Sequence, residues 1–225
     1  MTKTLKNFQR YLVLSLIFII NGGMAWAQSN PGILLPIHDL LVDQNASGAP
    51  AIVTQTLALS EGANYCSFYV DITLNELKDA LVASFPNSAI TIKSKTQTHT
   101  YNPNTHRWTG KFDTFDLGKM NIIKVACDGE LTLEGVPVKP ADHPVTIVGG
   151  NSTYLAFPFK ESMTLTEAFA GIVIQGDKVK SKDKTCAYNR NKWGNQITTL
   201  EPGKGYIYVG AGEDNRTLIF PTSSK

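Results

Sequence analysis

Residues 56–70 read Thr-Leu-Ala-Leu-Ser-Glu-Gly-Ala-Asn-Tyr-Cys-Ser-Phe-Tyr-Val, and residues 145–159 read Val-Thr-Ile-Val-Gly-Gly-Asn-Ser-Thr-Tyr-Leu-Ala-Phe-Pro-Phe. In both stretches a run with strand-like composition meets a glycine turn and continues as a second such run. Each stretch is typical of a β-hairpin, and their likeness indicates an internal repeat. The fold is therefore predicted to contain two copies of one β-rich unit.

The segment after each stretch predicts a short helix. Thr73 stands three residues before Glu76, and Thr164 stands three residues before Glu167. This spacing is typical of a capping box, in which the threonine and the glutamate satisfy each other's free backbone amides at a helix start. Apolar residues then recur at helical spacing. They are Leu74, Leu77, Leu81 and Phe85 in the first copy, and Leu165, Ala168, Phe169 and Ile172 in the second.

The landmarks after each helix recur in the same order. Tyr101 precedes Trp108 in the first copy, and Tyr188 precedes Trp193 in the second. Each copy then closes with a glycine turn and two strand-like runs. These landmarks predict a mainly β protein (β-rich α+β, β-sandwich-like) of two tandem homologous units, each an antiparallel sheet with one short helix.

The repeat sets the predicted domain boundaries. The first unit covers residues 51–140 and the second covers residues 141–225. Residues 28–50 contain Pro31, Pro36 and Pro50 and are expected to form a lead-in or linker.

The N-terminus has the three parts of a secretory signal peptide. A basic stretch is followed by an apolar run over residues 11–20, and Ala25 and Ala27 supply the small residues at a cleavage site. Cleavage is predicted between Ala27 and Gln28, so residues 1–27 would be removed. The apolar run is shorter than the roughly 20 residues that span a bilayer. We expect export to the periplasm, the cell surface or the medium, with no transmembrane segment in the mature chain.

The charge balance argues against nucleic-acid binding. The chain has 21 basic and 19 acidic residues, and the signal peptide holds three of the basic ones (Lys3, Lys6 and Arg10) and no acidic one. The mature chain is therefore close to neutral, whereas a nucleic-acid surface calls for a clearly basic face.

Three cysteines in an exported chain raise the question of a disulfide bond. Strand alternation places Cys66 and Cys127 on the inward faces of their strands. Two alternatives follow: a Cys66–Cys127 bridge, or two buried free thiols. Cys186 is left without a partner.

No known catalytic or metal-binding motif is present, so the sequence predicts no catalytic residue, metal ligand or cofactor.

Two sets of residues are weaker candidates for ligand binding. The aromatic residues Tyr101, Trp108, Tyr188 and Trp193 would stack on sugar rings if exposed, or would close the core of each unit. Four alternating lysines would form a stripe for an anionic ligand on one strand face, or would protect a strand edge from aggregation. These are Lys178, Lys180, Lys182 and Lys184.

Residues 200–208, Leu-Glu-Pro-Gly-Lys-Gly-Tyr-Ile-Tyr, resemble a repeat module of secreted and surface proteins of the Bacteroidota. That module runs from a Trp-Asn-Trp-Ile strand through a short helix to a Glu-Pro-Gly-Lys-Gly-Tyr turn. The chain departs from it where Tyr65 and Tyr154 stand near the expected tryptophans, and at residues 118–121, where the first turn lacks Gly-Tyr. The resemblance implies an exported protein with a structural or binding role and no shared catalytic activity.

We therefore expect an exported, non-enzymatic surface or periplasmic module with a structural, adhesive or protein-interaction role. Its partners would be other exported or surface proteins, or a glycan. The alternative is a carbohydrate-binding accessory protein that uses exposed aromatic residues, and a hydrolase comes third.

Overall fold

A computed structural model describes residues 50–221 of the chain. The predicted signal peptide, its cleavage site between Ala27 and Gln28, and residues 28–49 of the predicted lead-in lie outside the described residues. Residues 50–221 form a mainly β fold with antiparallel sheets and two α-helices, which confirms the predicted β-rich character of the fold. None of the helices in this part of the chain is long and apolar enough to cross a membrane.

The first half, residues 50–140, contains eight strands and one α-helix. The strands are β1 (Val53–Leu59), β2 (Gly62–Cys66), β3 (Val70–Asp71), β4 (Ile90–Lys93), β5 (Thr98–Asn102), β6 (Arg107–Lys111), β7 (Asn121–Val125) and β8 (Gly129–Pro137), and the helix is α1 (Leu74–Ser84). Five strands form an antiparallel sheet in the order β2-β7-β4-β5-β6. The other three form a sheet in the order β1-β8-β3, so β1 lies at an edge.

The second half, residues 141–221, contains nine strands and one short α-helix, and a 3-10 helix (Pro140–Asp142) lies where the two halves meet. The strands are β9 (Val145–Ile147), β10 (Ser152–Leu155), β11 (Met163–Thr164), β12 (Lys178–Lys180), β13 (Thr185–Asn189), β14 (Lys192–Trp193), β15 (Thr199–Leu200), β16 (Tyr206–Val209) and β17 (Arg216–Leu218), and the helix is α2 (Leu165–Ala168). Its largest sheet has the order β10-β16-β12-β13-β14, and β9–β17 and β11–β15 form two-stranded sheets.

The two five-stranded sheets share one strand order. When the strands of each sheet are counted along the chain, both sheets run first, fifth, second, third, fourth. This agreement is a property of the topology; the duplication inferred from the sequence stays a prediction.

The prediction of two β-hairpins, over residues 56–70 and 145–159, is wrong. β1 pairs with β8 from Val53↔Gly135 to Leu59↔Gly129, whereas β2 pairs with β7. In the second half β9 pairs with β17 and β10 pairs with β16. Strand alternation identifies which residues form strands, but it does not identify the partner strand.

Both capping boxes form at the predicted helix starts. The Thr73 hydroxyl accepts a hydrogen bond from the Glu76 amide at 3.2 Å, and the Glu76 carboxylate accepts one from the Thr73 amide at 2.7 Å. Thr164 and Glu167 make the same two hydrogen bonds. α1 runs for 11 residues, whereas α2 ends after four. The helical spacing of apolar residues as far as Ile172 therefore predicts a longer α2 than the structure shows.

Each half has its own hydrophobic core. In the first half α1 buries Leu77 and Leu81 against the strands, in a cluster with Ile92 and Ile123. In the second half a cluster of aromatic rings includes Phe157, Phe169 and Tyr208, all fully buried. Burying a large apolar side chain contributes about 1.5–3 kcal/mol to folding, so each cluster is a major source of stability.

Two glycine turns join the halves. Residues 116–119 form the first turn and residues 201–204 form the second, and an ion pair between the end residues closes each turn. A glycine carbonyl in each turn accepts a hydrogen bond from a backbone amide of the other half. The donors and acceptors are Ser67 to Gly203 at 3.0 Å and Ala156 to Gly118 at 3.1 Å.

Candidate functional site

The aromatic pair of the first half faces the core. Tyr101 and Trp108 lie opposite each other on β5 and β6, with ring centroids 5.4 Å apart. Tyr101 is only 3 % exposed, and Trp108 packs against the first core with the Lys78 ammonium 5.6 Å from its ring centroid. This pair does not offer the open ring face that stacking on a sugar would need.

The aromatic pair of the second half has the same arrangement. Tyr188 and Trp193 lie opposite each other on β13 and β14, with ring centroids 5.2 Å apart. Trp193 also lies 5.6 Å from Phe169 and packs against the second core. Both pairs therefore contribute to packing through contacts within their own half.

The predicted lysine stripe is not a single strand face. Lys178 and Lys180 lie on β12, but the strand ends there. The Ser181 amide donates a hydrogen bond to the Lys184 carbonyl at 2.9 Å, and the Lys184 amide donates to the Ser181 hydroxyl at 3.1 Å. Because these bonds close a turn over residues 181–184, Lys182 and Lys184 project from that turn.

The two cysteines considered for a disulfide bond do not meet. Cys66 pairs with Asn121, whereas Cys127 lies beyond Val125, which pairs with Gly62 at the other end of the same strand pair. Four residues of strand span about 13 Å, and a disulfide needs Cα atoms within about 7 Å. Cys66, Cys127 and Cys186 are all free thiols. The predicted inward orientation of Cys127 is wrong because β7 ends at Val125 and leaves Cys127 exposed.

A groove with a cavity volume of about 600 Å³ lies between the two halves. One wall is residues 56–59 of β1, and a second is residues 64–66 of β2. The turn of residues 181–184 and residues from the segment 196–206 complete it. Sequence reasoning missed this groove because its walls come from four separate segments that only the tertiary structure brings together.

The β1 wall offers backbone hydrogen-bonding groups. β1 pairs with β8 on one side, and no other strand of the described residues pairs with it. In an antiparallel strand, alternate residues direct their N–H and C=O groups away from the paired side. Two of the four residues 56–59 therefore present a donor and an acceptor at the unpaired edge.

The floor of the groove is apolar. Buried side chains that line it include Leu57, Leu59, Cys66, Ile197 and Tyr206. Burial raises the pKa of the Cys66 thiol to about 12, so this cysteine stays protonated at neutral pH. A protonated thiol is a poor nucleophile, and the groove gains no reactive cysteine from it.

The glycine turn of the second half holds the groove in shape. The Glu201 amide donates a hydrogen bond to the Tyr206 hydroxyl at 2.8 Å. Gly203 has φ +77°, and a side chain there would overlap Leu57. The Glu-Pro-Gly-Lys-Gly-Tyr sequence thus fits a turn packed tightly against β1.

Charge is distributed unevenly around the groove. Lys204 is neutralised by an ion pair with Glu201 at 2.6 Å. Lys182 and Lys184 form no ion pair within residues 50–221, and neither does Asp183 between them. The residues that line the groove therefore include two free ammonium groups and one free carboxylate on the turn of residues 181–184.

A buried ion pair in the second half was also missed by sequence reasoning. Asp177 is fully buried, and its carboxylate accepts hydrogen bonds from Arg216, Tyr208 and the Ala211 amide. Burial acts to raise the pKa of Asp177, but the hydrogen bonds from Arg216 and the Ile174 amide outweigh it and hold the pKa below its usual value. This carboxylate is fully compensated, so it acts as a structural group.

Within the described part of the chain, no three His, Cys, Asp or Glu side chains cluster closely enough to hold a metal ion. No protein-family model matches the chain, and searches of curated proteins and of solved structures also return no match.

Proposed function

We propose that this chain is an exported, non-enzymatic module that binds another protein through the groove between its two halves. The observation that carries the proposal is the unpaired edge of β1 along that groove. An exposed strand edge binds an extended peptide by adding it as a further strand, with backbone hydrogen bonds supplying affinity and side-chain contacts supplying specificity.

The predicted duplication supports a binding role. The shared strand order, the paired capping boxes and the reciprocal glycine turns all agree with two homologous units. A groove formed where such units meet is a common place for a ligand site. The resemblance to repeat modules of the Bacteroidota and the predicted signal peptide point to a partner outside the cytoplasm, in the periplasm or at the cell surface.

Export is tested by sequencing the N-terminus of the protein recovered from the cell envelope or the medium. We expect it to begin at Gln28. A mature chain that retains residues 11–20 would contradict the predicted cleavage and indicate a membrane anchor.

Groove binding is tested by selecting peptides from a displayed random library against the mature chain. We expect the selected peptides to slow hydrogen exchange at residues 56–59 of β1. Thr198→Trp would fill the groove from an exposed position and abolish their binding. Thr105→Trp, also exposed but outside the groove, is the matched control and should bind normally.

Two results would overturn the proposal. The first is selected peptides that protect other residues and bind Thr198→Trp as well as the native chain. The second is a glycan array with strong hits that depend on Trp108 or Trp193, which would support the carbohydrate-binding alternative.

A further inference from the structure

We infer that the groove binds an extended segment with acidic side chains, whose carboxylates meet Lys182 and Lys184. This inference rests on the proposed function, because it specifies the chemistry of the partner that occupies the same groove.

The length of the site follows from the β1 wall. Residues 56–59 line the groove, and four residues of an antiparallel strand span about 13 Å. A bound strand would therefore pair with β1 over about four residues.

The preference for acidic residues follows from a comparison of two turns. Residues 94–97 and 181–184 have the same pair of internal hydrogen bonds, from the first amide to the fourth carbonyl and from the fourth amide to the first serine hydroxyl. In the first turn, Lys95 donates a hydrogen bond to the Ser152 carbonyl of the other half at 2.6 Å. Lys182 holds the corresponding place in the second turn but faces the groove without an ion-pair partner among the described residues.

Lys184 adds a second unpaired ammonium group to the same wall, where the first turn has Gln97. Asp183 offsets only one of these two charges. The free groups of the groove therefore carry a net positive charge, which favours a negatively charged occupant.

The apolar floor sets the pattern of the occupant. Successive side chains of a strand point to opposite faces, so a bound segment would direct every second residue towards the buried Leu57 and Ile197. The residues between them would be free to reach the lysines. An alternation of apolar and acidic residues is the sequence that satisfies both surfaces.

The test uses two labelled heptapeptides, Val-Glu-Val-Thr-Val-Glu-Val and Val-Lys-Val-Thr-Val-Lys-Val, and measures their binding to the mature chain by fluorescence anisotropy. An exposed ion pair strengthens binding only modestly, so two such pairs predict that the acidic peptide binds about tenfold more tightly at low salt. The difference should shrink as added salt screens the charges.

The double variant Lys182→Glu/Lys184→Glu should remove or reverse this preference. Its matched control is Lys178→Glu/Lys192→Glu, which changes the net charge equally at two exposed lysines outside the groove. The control should keep most of the preference. Thermal melting of both variants confirms that they are folded.

The outcomes separate this inference from the proposed function. If both heptapeptides bind equally and protect residues 56–59 from hydrogen exchange, the acidic preference is wrong while groove binding stands. An equal loss of preference in the control variant would also overturn the inference, since it would indicate a general charge effect. If neither heptapeptide nor any library peptide protects residues 56–59, both proposals fail.

Discussion

The guanidinium group of Arg216 donates two hydrogen bonds to the buried carboxylate of Asp177, from Nη1 to Oδ2 at 2.6 Å and from Nη2 to Oδ1 at 2.8 Å. Asp177 stands four residues before Ser181, and Ile90, also fully buried, stands four residues before Ser94 at the start of the similar turn in the first half. One half therefore fills this position with an apolar side chain and the other with an ion pair. The ion pair ties the start of β12 to β17, although 39 residues separate the two partners.

Removing one partner of this pair should destabilise the protein strongly. Asp177→Ala leaves the Arg216 side chain, which is 15 % exposed, without its counter-charge. Breaking a buried pair in this way costs about 3–5 kcal/mol, measured as the free energy of unfolding in urea. The double variant Asp177→Ala/Arg216→Ala should lose less than the sum of the single variants. Lys111→Ala, which breaks an exposed ion pair with Asp113, should cost at most about 1 kcal/mol. A similar small loss in Asp177→Ala would show that the pair contributes little.

The same carboxylate predicts how stability depends on pH. The pKa of Asp177 is held below its usual value in the folded protein, so the unfolded state takes up a proton first as the pH falls. Its contribution is fully present above about pH 4, the ordinary pKa of an aspartate, and is lost as the pH falls through the folded-state pKa. Below pH 4, the urea concentration at the unfolding midpoint should decrease with falling pH more steeply for the native chain than for Asp177→Ala. Parallel curves for the two proteins would contradict this assignment.

Two glycines with the same backbone conformation allow the cost of a left-handed backbone to be measured apart from the cost of a steric overlap. Gly171 and Gly203 both have φ +77°, but only at Gly203 would a side chain meet another atom, the Leu57 side chain. Gly171→Ala should cost about 1–2 kcal/mol, the ordinary penalty for a left-handed residue with a side chain. Gly203→Ala should cost more, because Leu57 must also move, and it should weaken any peptide bound in the groove. Equal losses of unfolding free energy would show that the turn adjusts freely to the added methyl group.

Trp193→Ala should lower the melting temperature markedly. The indole packs against Phe169 and Tyr188 at the edge of the second core, and its loss leaves a cavity there. Truncating a buried aromatic residue costs about 3–5 kcal/mol, and the half-buried position of Trp193 places the expected loss near the lower end. Differential scanning calorimetry measures the shift. Unchanged stability together with lost glycan binding would instead favour a sugar-binding role for this residue.

Local features of the fold could be predicted, but long-range ones could not. The capping box of Thr73 and Glu76 depends on residues three apart, so its sequence pattern was sufficient. The pairing of Leu59 with Gly129 joins residues far apart in the chain, and nothing in the alternation of β1 indicates that partner. The candidate site shows the same limit. The sequence predicts Lys182 and Lys184 as candidates on a strand face, but their position on a turn that lines the same groove as β1 follows from the packing of the two halves.

The reactivity of the three cysteines tests whether β7 ends before Cys127 and whether Cys66 and Cys186 are buried. Cys127 is exposed, with its thiol 3.4 Å from the Ser88 hydroxyl, whereas Cys66 and Cys186 are buried. Burial also raises the pKa of Cys66 to about 12, which suppresses the thiolate that reacts with labelling reagents. A thiol-specific reagent should therefore modify one cysteine in the native protein, and peptide mapping should identify it as Cys127. All three should react after denaturation without a reducing agent. A denatured protein that still shows only one reactive thiol would reveal a bridge between Cys66 and Cys186, and would require a structure in which β2 and β13 approach each other.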